Sequence, residues 1–167
     1  MADPALAALA ARLARLEDLE AIRALIAAYG PLADAGDGAR VAALFAPDGI
    51  YAIAGFAEAR GRAAIAALLE TPHHRALMAD GCAHLLGPVA ICLDGDTATA
   101  CGHSIVFKSG ASGFAAHRVA ANRWHLSRRA GQWLVARRDN ALLDGNAAAR
   151  ILLSPPAAPH PPQTPPR

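Results

Sequence analysis

The hydrophobic pattern changes period once along the chain, and that change limits the folds open to it. Up to about residue 69 the apolar residues recur at helical spacing, as in Leu6, Leu9, Leu13 and Leu16 and then Leu19, Ile22, Ile26 and Tyr29. From residue 82 onward they alternate, and segments 82–93, 97–107, 115–128 and 132–142 read as strands. Asp94-Gly95 and Ala130-Gly131 supply tight hairpin turns, and 108–113 is a looser connection. Helices first and strands second predict an α+β fold, with N-terminal helices covering one face of a curved, mainly antiparallel sheet.

The helical part has internal punctuation. Gly30-Pro31 interrupts the first helix, because proline lacks an N–H and clashes with the preceding turn; a kink or restart is expected there. Asp37 is an N-cap for a second helix with Val41, Leu44 and Phe45 on its apolar face. Pro47-Asp48-Gly49 ends it, residues 50–53 form a strand, and a third helix covers 62–69, running out near Thr71-Pro72. Residues 144–153 form a last helix. Residues 1–153 are thus expected to be one domain, and 154–167, mostly Pro, Ala and His, a disordered tail.

Composition excludes several function classes. Net charge is only +2, Lys108 is the sole lysine, and no basic stripe with interleaved aromatics exists, so nucleic acid is not an expected partner. The amphipathic N-terminus carries Arg12 and Arg15 and is neither a signal peptide nor a membrane span. Cys82, Cys92 and Cys101 form no CxxC pair and read as buried free thiols in a reducing compartment, so a cytoplasmic location is expected. Phosphate-loop, dinucleotide and nucleophile-elbow spacings are missing, as is a His-Glu-x-x-His run. No cofactor and no metal are expected.

The polar insertions carry the chemistry. Asp34 follows the Gly30-Pro31 break at the end of an apolar helix. His84 and His103 interrupt apolar strands and lie about level if Asp94-Gly95 is the turn centre. An imidazole with a carboxylate partner can take and return a proton near neutral pH. Asn122 shares a strand face with Trp124 and Leu126 and needs a polar partner there. Arg123, His125 and Ser127 occupy the other face, a candidate oligomer interface. His117 and His125 read as core or edge histidines, and His73-His74 as solvated residues closing a helix.

The runs LEAIRALIAAY (19–29) and ALFAPDG (43–49), Gly61 with Ala64-Ile65, HLLGPV (84–89) closing on DGD (94–96), and Trp133 after RAG (129–131) together resemble SnoaL-like domains of the nuclear-transport-factor-2-like superfamily. The similarity spans residues 16–153. It implies a cone-shaped α+β barrel around one small-molecule pocket, and it covers isomerases, dehydratases, polyketide cyclases and non-catalytic subunits. Among families of this fold, Asp34 and His84 match positions used by scytalone dehydratases and bile-acid 7α-dehydratases. Tyr29 is similar to a tyrosine of the latter, and His103, Tyr51 and Asn122 to pocket residues of the former. Ala33 and Ala120 depart from the scytalone enzymes' pocket tyrosine and serine.

The resemblance implies a cofactor-independent dehydratase or isomerase acting on a hydrophobic, cyclic carbonyl compound, steroid- or polyketide-like. Asp34, His84, Tyr29 and His103 are the candidate catalytic residues; Tyr51, Asn122, Trp124 and Phe107 are the candidate substrate-binding ones. In this expectation His84, oriented by Asp34, is base and acid. Tyr29 or Tyr51 polarises the carbonyl, and His103 and Asn122 position substrate or water. The alternatives are an aldol-type polyketide cyclase, or a ligand-binding or assembly subunit like the small subunits of ring-hydroxylating dioxygenases. The resemblance also implies a homo-oligomer, trimer or dimer.

Overall fold

The computed structural model describes residues 3–154. Helix α1 (Pro4–Asp34) is followed by α2 (Gly38–Ala43), strands β1 (Phe45–Ile53) and β2 (Ala57–Arg60), and α3 (Gly61–Ala67). A 3-10 turn (Leu68–Glu70) leads to α4 (Pro72–Asp80). Then come strands β3 (Cys82–Asp94), β4 (Thr97–Gly110), β5 (Gly113–Arg129) and β6 (Gln132–Leu142), and helix α5 (Ala147–Leu153). The sheet order is β2-β1-β6-β5-β4-β3, antiparallel throughout except where β1 runs parallel to β6. This is the expected α+β cone: an open, curved mixed sheet wrapped over the C-terminal half of α1 and the short helices. The expected tail lies outside the described residues apart from Ser154.

The first helix does not restart at Pro31. It runs unbroken from Pro4 to Asp34, with Pro31 inside it. Proline removes one ladder bond, but the last turn buries Tyr29, Gly30 and Ala33 against the sheet, and that packing holds the helix together. Gly30 makes the contact possible: a Cβ built there would lie 2.2 Å from the carbonyl oxygen of His84. The absence of a side chain lets α1 and β3 touch backbone to backbone, one turn before Asp34. Farther along, Asp18 accepts bonds from Arg128 (2.6 Å) and the Trp133 indole (3.0 Å), tying α1 to the β5–β6 hairpin.

Helix α4 was not anticipated. Thr71 caps it, its Oγ1 accepting from the His74 amide, and Pro72 occupies the first turn. His73 and His74 therefore open a helix instead of closing one, and the reversal brings both rings to the sheet's mouth. Strand β2 was also missed; it is four residues long and pairs only with β1.

The core lies between α1, α3 and the concave face of the sheet, with Ile22, Ile26, Phe45, Ile65, Trp124 and Val135 almost fully buried. The N-terminal leucines Leu6, Leu9, Leu13 and Leu16 stay exposed. No described helix is long and apolar enough to cross a membrane. Cys82 and Cys101 are free thiols; Cys101 is buried, whereas Cys82 and Cys92 are only half-buried.

Candidate active site

Two strand irregularities decide which side chains meet in the cone. Continued unbroken from the Asp94-Gly95 turn, the β3–β4 register would put His84 on the same face as His103 and Phe107. Instead a one-residue shift falls between Leu86 and Val89, at Gly87-Pro88, and His84 pairs with Val106 and Leu86 with Ser104. The even-numbered β4 residues face inward along the strand, with Ala98, Ala100, Ser104 and Val106 buried, and the bulge in β3 turns His84 to their side. His103 is exposed on the outer face, and Phe107 stands on that face with it. The expectation that these two share the pocket with His84 is corrected by this single bulge. Ser104 and Val106 line the chamber in their place.

A second shift acts on β6. Trp133 and Val135 face the core, and the irregularity opposite His125 and Leu126 turns Arg138 and Asn140 inward after them. Simple alternation would have sent Arg138 outward. It is instead only 2% exposed, opposite Tyr51 on β1 and Trp124 on β5.

Asp34 and His84 do come together. Asp34, the last residue of α1, accepts the His84 backbone N–H at 2.8 Å, and its Oδ1 lies 2.6 Å from His84 Nδ1. The Cys82 thiol donates to the same carboxylate at 3.7 Å. A carboxylate can only accept, so the imidazole proton sits on Nδ1 and the Nε2 lone pair is left over. Nε2 makes no hydrogen bond among the described residues, and the ring borders the pocket. Burial pushes the imidazole below its ordinary 6.5, outweighing the upward pull of Asp34; His74 and Arg138 add to the downward push. His84 is accordingly neutral at pH 7, the protonation state a base needs.

Tyr29 and Tyr51 line the same space, their rings edge-on with centroids 6.1 Å apart. Burial, and next the adjacent Tyr51, hold the Tyr29 phenol well above its ordinary value, so it is a proton donor and not a phenolate. Asn122 and Trp124, each about 1% exposed, lie beneath the pocket and not on its wall. Asn122 finds the partners its burial demands: its Oδ1 accepts from Arg138 Nε (3.0 Å), Arg138 Nη2 (2.8 Å) and Asn140 Nδ2 (3.0 Å), and its Nδ2 donates to Ser104 Oγ (2.9 Å). The Arg138 guanidinium carbon lies 4.1, 4.2 and 4.6 Å from the ring centroids of Tyr29, Trp124 and Tyr51.

The pocket has two adjoining parts, both bordered by Tyr29, Tyr51, His84, Val106 and Arg118. The outer part, about 60 Å³, opens past Phe56, His73 and His117; the inner, about 30 Å³, ends at Ser104, Arg138 and Asn140. His74 stands at the dyad's side, its ring 5.7 Å from that of His84 and its Nε2 donating to the Ala33 carbonyl at 3.2 Å. A larger hollow of about 410 Å³ lies outside the cone, between the β1–β2 turn, β6 and α5, away from the dyad. Sequence reasoning missed Arg138, Arg118, Ser104, Asn140 and His74. Only the doublet Arg137-Arg138 beside Asn140 on a core strand signalled an inward arginine.

Asp34, Cys82 and His84 are also a conceivable metal donor set, with ligand atoms all within 4.8 Å. Two ligands of one zinc ion lie roughly 3.3 Å apart, given bonds of about 2.0–2.1 Å. The 2.6 Å between Asp34 Oδ1 and His84 Nδ1 is the length of a hydrogen bond, so a metal would have to open that contact first.

The SnoaL-like domain model matches residues 14–139, most of the described chain. The chain belongs to this family. Among solved structures, an NTF2-like protein with a cystatin-like fold from Novosphingobium aromaticivorans is 58% identical. It superposes with a TM-score of 0.88, covering 92% of this chain and 99% of its own. ActVI-ORFA from Streptomyces coelicolor shares the fold at 22% identity (TM-score 0.66, covering 77% of this chain and 98% of that one). A Catenulispora acidiphila protein solved in complex with S-DNPA does so at 23% identity (TM-score 0.67, covering 80% and 98%). No curated protein matches the chain.

Proposed function

We propose that this SnoaL-like domain is a cofactor-independent lyase or isomerase working on a cyclic carbonyl compound by general acid–base chemistry. The observation that carries the reading is the Asp34–His84 dyad, its Oδ1–Nδ1 contact 2.6 Å long, with the imidazole on the wall of a pocket inside the cone. Asp34 fixes the tautomer, and Nε2 of His84 takes the proton alpha to the carbonyl. The C–H electron pair becomes the enolate, and the phenol of Tyr29 or Tyr51 donates to the enolate oxygen. In dehydration the enolate expels a beta hydroxyl, which leaves as water with the proton from Nε2. In isomerisation the same proton returns to another carbon.

The room available favours small substrates. The two parts together hold only a few water molecules, short of a typical ligand site of about 300–1,000 Å³, so a steroid would need the mouth at Phe56 and His73 to open. A neighbour of the same fold was solved in complex with S-DNPA. His103 has no part in this scheme, and Asn122 and Trp124 act by positioning Arg138. The homo-oligomer belongs to the reading as well: Leu85, Ile105 and Val119 stand in register on the outer face, Leu85 and Val119 exposed.

Turnover of small cyclic beta-hydroxy ketones, followed by the enone absorbance, tests the reading. Asp34→Asn and His84→Ala should each lower kcat by about 10²–10⁴-fold with the fold intact. Near-normal rates from both variants would end the proposal.

A further inference from the structure

The inner chamber contains two positively charged groups with donors to spare. Arg138 spends Nε and Nη2 on Asn122, while its buried Nη1 has no hydrogen-bond partner among the described residues. The buried Nε of Arg118 has none either. Both side chains border the same chamber of about 30 Å³, beside His84. Neither arginine has an ion pair with a described carboxylate.

Buried charges are normally paired, and unused guanidinium N–H groups are costly in a water-poor site. Three aromatic faces offset part of that cost for Arg138, but they leave its Nη1 unsatisfied. The charge balance at the pocket is two guanidinium groups against the one carboxylate of Asp34, with His84 neutral. One positive charge is left over. The chamber has room for about two water molecules, the space that the two oxygens of a carboxylate occupy.

We infer that the ligand of this pocket is a monoanion: a small ring compound carrying one carboxylate besides its carbonyl, the carboxylate held by the guanidinium groups of Arg138 and Arg118. Guanidinium groups match carboxylates in both charge and geometry, which an alcohol or ketone cannot do. The inference deepens the function proposed above and rests on it only in placing the ligand beside His84. Anchoring the carboxylate at the blind end would hold the carbon to be deprotonated nearer the mouth, against Nε2.

The test is calorimetric binding of 3-oxocyclohexanecarboxylate, its methyl ester and cyclohexanone to the wild-type protein. The acid should bind at least about tenfold more tightly than either neutral probe. Arg118→Gln, at a half-buried position, should remove about tenfold of the acid's affinity and leave the ester unchanged. Arg138→Gln should act alike wherever its circular dichroism shows it folded. His84→Ala should keep the acid's affinity, so failure of the proton-transfer scheme and failure of the anion site give different results. Equal binding of all three probes, no binding of the acid at millimolar concentration, or acid binding indifferent to Arg118→Gln would each overturn the inference.

Discussion

Gly30 is the point where one methyl group should uncouple the dyad without unfolding the protein. In Gly30→Ala the new Cβ would start 2.2 Å from the His84 carbonyl oxygen, whereas real Cβ contacts essentially never fall below 3.0 Å. The obstacle is backbone, so α1 and β3 must separate by at least about 0.8 Å. Added to the 2.6 Å between Asp34 Oδ1 and His84 Nδ1, that displacement carries the pair past the roughly 2.7–3.2 Å range of a good hydrogen bond. A misplacement of about 1 Å in a catalytic group costs on the order of 10²-fold in rate. Stability should change much less, because overpacking costs about 1–3 kcal/mol while alanine in a helix returns about 1 kcal/mol relative to glycine. The assay is proton NMR: the wild type should show a downfield Nδ1–H signal from His84, and Gly30→Ala should lose it while keeping its melting transition within a few degrees. Gly110→Ala, where an added Cβ meets nothing closer than 3.8 Å, is the control. A Gly30→Ala protein with an unchanged downfield signal would refute the reasoning.

Other expectations concern the dyad and its supports. Because burial depresses the His84 pKa, the rate should rise with pH through a value below 6.5 and then level off; a profile falling over that range would contradict a neutral base. Linkage has the same sign. The unfolded chain binds this proton more tightly, so the stability tied to His84 is complete above 6.5 and is lost as pH falls through the folded value, which urea titrations at several pH values would register. Asp18→Ala breaks the Arg128 and Trp133 bonds and should cost about 1–2 kcal/mol in denaturant melts, discounted for partial exposure, with no change in ligand binding. His103→Ala should leave rate and stability within error, since its ring is on the outer face; a large loss of activity would return His103 to the site.

The periodicity of the chain made the architecture legible: the strands read from alternation end within a few residues of β3 to β6. Asp34 and His84 could be paired from sequence because each is a polar break in an apolar element, and a family resemblance placed them at matching positions. The rest of the pocket was hidden by register. A one-residue bulge at Gly87-Pro88 reverses which β4 side chains face the dyad, exchanging His103 and Phe107 for Ser104 and Val106. A second shift turns Arg138 inward. Neither is visible to a period-2 reading, which assumes that every strand is regular. Helix α4 escapes the sequence pattern for another reason: Pro72 resembles a stop, although proline is equally at home in a helix's first turn behind a threonine cap.

The central claim is that Asp34 holds His84 as a neutral base with its Nε2 lone pair turned to the pocket. Nitrogen-15 NMR of the histidine side chains, titrated in wild type and Asp34→Asn, measures it directly. The account predicts an Nδ1–H tautomer titrating below 6.5 in the wild type, and a still lower pKa once the carboxylate charge is removed. A wild-type His84 protonated at neutral pH, or carrying its proton on Nε2, would contradict it.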